Sequence, residues 1–485
     1  MKTVKYLFMS ALLMGFSAGA TAQDGSAADV DAVKSLIQSK PADMAKAMKP
    51  FYSKNKKNVD NLVAFGRAFY EARDTANARA AAEKALAASK RQSSPAYVLL
   101  GDIAALADDG GAAAAMYEQA IYYDKQNPEP YKKYALVYRK IDPEGAVNKL
   151  AELRAERPDY PVDAFIAHVD YLSMRYGPAI EAYSRVPESQ MDRAGWIEYA
   201  NACYIAKQFE QGVKAAKSGL AKDPNNATLT RLAMLCSTDN KNYDEALKYA
   251  DAMFNKINKD SIKLTNLDYL YYGNALMGAD QADQAVDKYK EALKLVADDA
   301  SKQADIHKSL SDAYKQLKNF PDAIASYRSY LDTTKDPDAI AYAGLGLLHQ
   351  QHARSLKVEG QEEMTPEEIA AFTEAEKVWG ELVEKYPDAA EYGLFMRANA
   401  NMQLDKDQSE GRAKPYYEKL IELITAHEQL DNTDENRLVA SYGTLMQYWY
   451  NVKKDKAKAL EYAKKLVELK PENEQYQKMV ESLSK

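Results

Sequence analysis

The sequence predicts an all-α protein, a right-handed α-solenoid of about eleven helical hairpins with capping helices at both ends. Three recurring features predict this fold. A small residue precedes a helical run with a basic period of 33 to 34 residues, an aromatic or small apolar residue follows it by four positions in most copies, and an apolar–small pair precedes it by about twelve positions. The copies of the small residue are Ala78, Ala113, Ala146, Ala179, Gly212, Ala246, Ala285, Ala323, Ala375, Ala413 and Ala459.

Each period is interpreted as one helical hairpin. Residues four positions apart lie on one face of a helix, and a small residue on the other helix lets the two helices approach closely. Turn-forming prolines fall where successive hairpins should join. These prolines are Pro128, Pro158, Pro224, Pro337, Pro387 and Pro471.

The N-terminus predicts a secretory signal peptide. Two lysines precede an apolar run from Leu7 to about Ala18, and the small residues Ala20 and Ala22 allow cleavage before Gln23. The run is shorter than the ~20 residues of a membrane-spanning helix. No later segment is apolar enough to span a bilayer. We therefore expect export to the periplasm or cell envelope of a Gram-negative bacterium, with no membrane span after cleavage.

The remaining elements follow from local signals. A helical stretch after the signal peptide and an amphipathic C-terminal tail are typical of the caps that a repeat array needs. Thr365 followed by Pro366 and Glu368 predicts a capped helix start within a charged insertion. The predicted order is a signal peptide (1–22), an N-terminal helical cap (23–56), regular hairpins (57–354), the insertion (355–368), irregular hairpins (369–471) and a C-terminal capping helix (472–485).

The hairpin around residue 273 shows the pattern most clearly. Its motif residues are Tyr269, Tyr272, Gly273, Ala285, Tyr289 and Ala292. This pattern resembles the tetratricopeptide repeat, whose motif spaces an aromatic, Leu-Gly, Tyr, Ala, an aromatic, Ala and Pro within one period. The resemblance extends over roughly residues 57 to 471. One departure is Asp170, which stands where the family tends to place Tyr.

The family resemblance implies a binding groove on the concave face of the solenoid, lined by the first helix of each hairpin. Such a groove holds an extended peptide or a helix. The expected partners are other envelope proteins or peptides, and we predict a scaffold without enzymatic activity. The candidate groove residues are Lys132, Arg139, Asn201, Tyr204, Arg231, Asn274, Met277, Lys308, Asp312, Arg397 and Tyr448.

A second class of function is glycan or small-ligand binding in an envelope nutrient-capture system, because the 35 tyrosines could stack on sugars. Nucleic acid is not expected as a partner, since a chain with a net charge of -7 repels phosphate backbones. Gly273 and Gly278 are spaced like the glycines of a phosphate-binding loop, but Ala279 and Asp280 follow them instead of Lys and Ser or Thr. We interpret Gly273 as a helix-contact residue and Gly278 as a helix C-cap.

Two further pairs of residues are candidate sites. His349 and His352 could hold a metal with Glu362 or Glu363, which would make the insertion a metal-dependent hydrolase site. Packing is the alternative, and because two ligands without a clear third do not make a site, we predict no metal and no cofactor. Cys203 and Cys236 lie at nearly equivalent places in adjacent hairpins, where either a disulfide or plain core packing is compatible with their spacing.

Overall fold

A computed structural model describes residues 24–257, 263–358, 360 and 363–485. Every regular element in this part of the chain is a helix, and no strand occurs in it, which confirms the predicted all-α fold. The predicted signal peptide lies outside the described residues. A search of the described helices finds none that is both long and apolar enough to cross a membrane. The chain divides into two compact units, Met1–Leu232 (unit 1) and Ala233–Lys485 (unit 2).

The helices of unit 1 are short, and one short 3-10 turn, Glu188–Gln190, separates two of them. The last helix of this part, α13, contains the boundary between the units. The helices are α1 (Asp24–Ser39), α2 (Met44–Lys54), α3 (Val59–Glu71), α4 (Thr75–Ala88), α5 (Ser94–Leu106), α6 (Gly110–Tyr123), α7 (Pro128–Tyr138), α8 (Pro143–Glu156), α9 (Asp163–Leu172), α10 (Tyr176–Arg185), α11 (Arg193–Ile205), α12 (Phe209–Lys222) and α13 (Ala227–Asp239).

Unit 2 contains longer helices and three irregular helical segments. These segments are the π-helical Ala252–Lys256 and Tyr448–Val452 and the 3-10 turn Pro387–Ala389. The helices of this unit are α14 (Tyr243–Asp251), α15 (Asn266–Gly278), α16 (Ala282–Lys294), α17 (Ala300–Gln316), α18 (Phe320–Thr333), α19 (Ala339–Ser355), α20 (Pro366–Lys385), α21 (Ala390–Leu404), α22 (Lys414–Ile424), α23 (Asn432–Gln447), α24 (Lys456–Leu469) and α25 (Glu474–Ser484).

From α3 to α24 the described helices alternate as eleven pairs of a first, odd-numbered helix and a second, even-numbered helix. The paired helices that lie within one unit pack against each other, and α3 also contacts α5, as α15 contacts α17. In nine of these eleven described pairs the predicted small residue is the fourth residue of the second helix. All of the predicted small residues are buried. The period therefore locates the close contact between the helices of each hairpin.

In eight of the eleven described hairpins the turn uses a left-handed residue directly before the N-cap of the second helix, and none of these residues is glycine. In the first hairpin Arg73 has φ 63° and Asp74 follows it as the N-cap of α4, accepting a hydrogen bond from the backbone N–H of Asn77. The backbone N–H of Asp74 donates to the carbonyl of Phe69 at 2.9 Å, as in a Schellman motif. The same left-handed position is occupied by Asp108, Met174, Lys207, Lys241, Asp280, Lys318 and Lys454.

This turn corrects the interpretation of Gly278 as a left-handed C-cap. Gly278 is the last residue of α15, but the left-handed residue of that turn is Asp280, with φ 58°. A Cβ atom on Gly278 would lie 2.3 Å from the ring of Tyr243. The glycine is therefore required by the close approach of an aromatic ring and not by the backbone conformation.

The helix after the insertion begins as the sequence predicts. The backbone N–H of Thr365 donates to the Glu368 carboxylate at 2.8 Å, and the N–H of Glu368 donates to the Thr365 hydroxyl at 3.1 Å. Both halves of the capping box are thus formed, and Pro366 is the first residue of α20. Within the insertion, residues 359, 361 and 362 lie outside the described part of the chain.

Candidate partner-binding face

The first helices of each unit share one repeat position on their outward side. The small residue of a first helix must face the second helix of its hairpin, so the next residue along the chain turns about 100° away from that contact. We call the side of the first helices that carries this next position the first-helix face. On α3, α5, α9 and α11 of unit 1 the position is held by Arg67, Asp102, His168 and Asn201, and on α15, α17 and α19 of unit 2 by Asn274, Asp312 and Leu347.

In unit 1 the first-helix face contains a buried ionic network centred on Asp102. Its carboxylate, 5% exposed, accepts hydrogen bonds from the Tyr117 hydroxyl at 2.8 Å and the Lys133 ammonium at 2.7 Å. The guanidinium of Arg67 also pairs with this carboxylate. Since Arg67, Asp102 and Lys133 belong to α3, α5 and α7, the network joins three successive first helices.

A second network joins α9 to α11. The Nδ1 atom of His168 lies 2.9 Å from the Glu198 carboxylate, which also accepts a hydrogen bond from the Tyr183 hydroxyl at 2.5 Å. The amide of Asn201, predicted as a partner contact, donates to the Tyr171 hydroxyl at 2.7 Å. These polar groups bond to neighbouring helices of the same chain, so they stabilise the face rather than remain available to a partner.

The other predicted contacts of unit 1 are also engaged within the fold. The Lys132 ammonium lies 4.7 Å from the centroid of the Phe165 ring. The guanidinium of Arg139 donates to a carbonyl of its own helix. Tyr204 and Arg231 are half-buried on α11 and α13. None of these described side chains is fully exposed, so unit 1 offers few of the predicted groove residues to a partner.

The two cysteines are packed in the core. Both Cys203 and Cys236 are buried, and neither forms a disulfide. Burial raises the pKa of the Cys203 thiol to about 12, so this thiol carries no negative charge near neutral pH. Of the two alternatives left open by the sequence, the structure therefore shows core packing.

In unit 2, Gly273 has the role that its motif position predicts. A Cβ atom at this position would lie 2.4 Å from the ring of Tyr289, which packs over the glycine. The Tyr289 hydroxyl then reaches Asn274 and donates to its side-chain oxygen at 2.8 Å. Asn274 is thus held by its own hairpin, and Met277 is half-buried against the core cluster of this unit.

The helices α17 and α19 expose their first-helix face. Lys308 and Asp312 are exposed, and Asp312 accepts a hydrogen bond only from Lys315 of its own helix among the bonds of the described residues, at 3.2 Å. On α19, Ile340 is 81% exposed and Leu347 is 40% exposed. Leu347 holds the same repeat position as Asp312, so the apolar and charged side chains lie on the same side of the array.

Two predicted contacts nearer the C-terminus are enclosed by the protein. Arg397 pairs with Glu376, and its guanidinium lies 4.5 Å from the centroid of the Tyr416 ring. Tyr448 is buried at the start of the π-helical segment Tyr448–Val452. Tyr448, predicted to line a groove, is only 6% exposed, so little of its ring is accessible to a partner.

The histidine pair of the metal hypothesis is held by packing. Burial, with a further effect of the Arg328 charge, lowers the pKa of His349 to about 4. The ring of His352 stacks on Phe320 with the centroids 5.8 Å apart. In the described part of the chain no group of three or more His, Cys, Asp or Glu residues could hold a metal ion. Glu362, the third ligand considered, lies outside that part.

Sequence reasoning missed an ionic cluster around His427, which joins α21 to the start of α23. Its Nδ1 atom lies 2.8 Å from Asp434, and its Nε2 atom lies 2.8 Å from Glu391. Glu391 also pairs with Arg437 at 3.2 Å. The hydrogen bond to Asp434 and the negative charge of Glu391 raise the pKa of His427. Glu391 is 36 residues before His427 in sequence, so local sequence patterns do not indicate that the two side chains meet.

The cluster predicts a pH-dependent contribution to stability. Because the folded-state pKa of His427 is raised, its contribution is fully present below the unfolded-state pKa and is lost as the pH rises through the folded-state pKa. We expect the melting temperature of the wild type to exceed that of His427→Gln at pH 5.5 and the difference to shrink by pH 9. His307→Gln is the control. Because burial lowers the pKa of His307, the stability of the wild type relative to this variant should increase as the pH rises. A difference for His427→Gln that grew with pH would contradict the assignment.

Comparisons with known proteins agree with the repeat architecture. A model of the tetratricopeptide repeat family matches residues 273–349. No curated protein sequence matches the chain. The family match, within an array of repeated helical hairpins, confirms the predicted resemblance to the tetratricopeptide repeat, and the matched residues lie in unit 2.

Three solved structures illustrate the similarity. The C-terminal part of a TPR repeat-containing protein from Cytophaga hutchinsonii is 23% identical, with a TM-score of 0.45, over 59% of this chain and 99% of that chain. A tetratricopeptide repeat protein from Parabacteroides merdae is 15% identical, with a TM-score of 0.33, over 53% and 98%. The structure of Naa15/Naa10 bound to HypK-THB is 15% identical, with a TM-score of 0.32, over 93% and 64%. At TM-scores this low, none of them indicates what this chain binds.

Proposed function

We propose that this protein is a non-enzymatic scaffold that binds other proteins or peptides through the first-helix face of unit 2. The exposure of two large apolar side chains, Ile340 and Leu347, on one face of α19 carries the proposal. Leu267, six residues before Gly273 as Ile340 is six before Gly346, is also exposed on α15. Large apolar side chains that are exposed on one face of a protein are typical of protein interaction sites.

The spacing of these side chains fits a peptide or helix as the ligand. Ile340 and Leu347 are seven residues apart, so they are separated by about 10 Å along α19. An amphipathic helix that lies in a groove presents its own apolar anchors at the same spacing. Asp305 and Asp312 hold the corresponding positions on α17 and are exposed, which adds charged contacts beside the apolar ones.

The contrast between the units supports placing the binding face in unit 2. In unit 1 the polar side chains of the first-helix face bond to each other through Asp102 and Glu198. A partner would have to break buried ionic contacts to use them, and breaking such contacts is strongly unfavourable. In unit 2, Asp312 and Leu347 at the same repeat position remain exposed.

The proposal includes export to the periplasm or cell envelope of a Gram-negative bacterium. Its support is the N-terminal sequence, with two lysines followed by the apolar run from Leu7 to about Ala18 and a small-residue cleavage site. Cell fractionation and mass spectrometry of the mature N-terminus test this part. We expect a chain beginning at Gln23 in the periplasmic or envelope fraction, and an uncleaved cytoplasmic chain would contradict it.

The binding face is tested by photo-crosslinking in living cells. A photoreactive amino acid at position 340 or 347 should capture a protein, whereas the same amino acid at Leu295, an exposed apolar residue at the end of the second helix α16, should not. The double variant Ile340→Asp and Leu347→Asp should weaken binding of the captured protein by about 10-fold or more, as expected for apolar anchors.

Equal capture at Leu295, or no capture at positions 340 and 347, would contradict the proposed face. A glycan array distinguishes the alternative class of function. Glycan binding that persisted in the double variant, without any captured protein, would favour the carbohydrate alternative over the protein-binding scaffold.

A further inference from the structure

A second surface lies at the turn between α23 and α24, away from the first-helix face. Residues 448–458, with the sequence YWYNVKKDKAK, form this turn, and we call it the lysine turn. It begins with the π-helical segment Tyr448–Val452 and ends in the first residues of α24. Four of its side chains are exposed lysines, namely Lys453, Lys454, Lys456 and Lys458.

The charge of the lysine turn is not neutralised by the carboxylates around it. Within the described part of the chain, none of its four lysines forms an ion pair with a carboxylate. Asp455 is its one acidic residue, and its carboxylate accepts a hydrogen bond from the backbone N–H of Lys458 at 3.0 Å as the N-cap of α24. The lysine turn therefore carries four positive charges and one negative charge, and the carboxylate with the negative charge already caps a helix.

The neighbouring loop does not supply the missing negative charge. A Cβ atom on Gly411 would lie 2.8 Å from the ring of Tyr448, so this loop packs beside the turn. The carboxylate of Asp405 accepts hydrogen bonds from the backbone N–H groups of Glu410 at 3.2 Å and Arg412 at 3.0 Å. Glu410 pairs with Arg412 at 2.5 Å. These acidic groups are occupied within their own loop.

Two of the four lysines, Lys453 and Lys458, lie over aromatic rings, and this contact does not remove their charge. The Lys458 ammonium lies 3.9 Å from the centroid of the Trp449 ring, and the Lys453 ammonium lies 5.4 Å from that of Tyr448. Tyr450, which follows Trp449 in sequence, is 45% exposed. The turn therefore presents four positive charges together with one exposed amphipathic ring.

We propose that the lysine turn docks the protein on an anionic lipid surface. All four cations are Lys, whose ammonium is a point charge that attracts an anionic surface without requiring the fixed bidentate geometry that Arg provides. Tyr is enriched at the level of lipid headgroups because its ring is apolar and its hydroxyl polar. The net charge of -7 does not prevent this binding. Salt screens charges that are more than about 10 Å apart, so acidic residues elsewhere on the protein have little effect on the potential at the lysine turn.

Vesicle co-sedimentation of the full-length protein tests the proposal. We expect binding to phosphatidylcholine vesicles that contain phosphatidylglycerol, no binding to pure phosphatidylcholine, and loss of binding when the salt concentration is raised. Each lysine near an anionic surface strengthens binding about fivefold. The triple variant Lys453→Gln, Lys454→Gln and Lys456→Gln should therefore bind about 100-fold more weakly. These side chains are exposed, so the variant should fold as the wild type does.

A charge-matched variant is the control. Lys318→Gln, Lys335→Gln and Lys377→Gln remove the same charge from exposed positions elsewhere in unit 2 and should change vesicle binding by less than about threefold. Equal weakening in both triple variants, or equal binding to neutral and anionic vesicles, would overturn the proposal. Binding of an oligoglutamate peptide without any binding to anionic vesicles would also overturn it and would indicate an acidic protein partner.

Discussion

Replacing Asp102 by alanine is expected to lower the free energy of unfolding of unit 1 by about 3 kcal/mol. The carboxylate is almost fully buried. It accepts hydrogen bonds from the Tyr117 hydroxyl and the Lys133 ammonium, and it forms an ion pair with the Arg67 guanidinium. Its removal leaves the Tyr117 hydroxyl without its acceptor and leaves Arg67 and Lys133 with only the half-exposed Glu129 carboxylate, at 3.9 and 3.0 Å, which is a costly way to break a buried ion pair. We expect the low end of the usual range because the Arg67 and Lys133 side chains remain 30% and 27% exposed and can be partly hydrated.

Hydrogen exchange followed by mass spectrometry is the appropriate measurement, because a chain of two units need not unfold in one step. Peptides from α3, α5 and α7 should lose protection in the variant, while those from unit 2 should not. Asp312→Ala is the matched control: it removes the same side chain from the same repeat position, where Asp312 is exposed and bonds to Lys315 of its own helix. It should change stability by less than about 0.5 kcal/mol. A similar loss of stability in Asp102→Ala and Asp312→Ala would show that burial of the carboxylate does not determine the size of the loss.

The repeat pattern predicts where helices pack because close packing requires a small residue, and that requirement is visible in sequence. Ala78 and Ala285 each stand at the fourth position of their second helix for this reason. Two copies depart from that position. Ala375 is the tenth residue of α20, since the capping box starts the helix early, and Ala413 precedes α22, since the loop that contains Gly411 delays it. Local sequence signals therefore move the start of the second helix along the chain, while the small residue remains at the contact between the two helices.

The candidate binding residues were harder to predict, because a repeat position determines the side of a helix but not its neighbours. Asp102 and Asp312 hold the same position, yet only Asp102 has a lysine and an arginine of adjacent first helices within reach. Tyr448 is buried where a π-helical segment begins, and α-helical periodicity does not predict such a segment.

The second large effect is expected from adding one methyl group to the helix contact at Gly273. In Gly273→Ala the new Cβ would lie 2.4 Å from the Tyr289 ring, well inside van der Waals contact. The ring cannot move away easily, because it is buried and its hydroxyl is bonded to Asn274. Overpacking of this kind destabilises a protein by about 1 to 3 kcal/mol, and we expect the upper part of that range for unit 2. Urea unfolding followed by circular dichroism, with hydrogen exchange of α15 and α16, measures the loss.

Gly443→Ala provides the matched control, because it makes the same chemical change inside α23 at a position where nothing lies within 4 Å of the added Cβ. Alanine restricts the unfolded chain and favours the helix, so this variant should be more stable than the wild type by about 0.5 to 1 kcal/mol. The two substitutions should thus have opposite signs, although helix propensity alone predicts stabilisation in both. If Gly273→Ala were also stabilising, the hairpin would have to separate by more than 0.5 Å to admit the methyl group, as about 3.0 Å is the shortest contact a Cβ tolerates. In that case the small residue at position 273 would not determine the distance between the two helices.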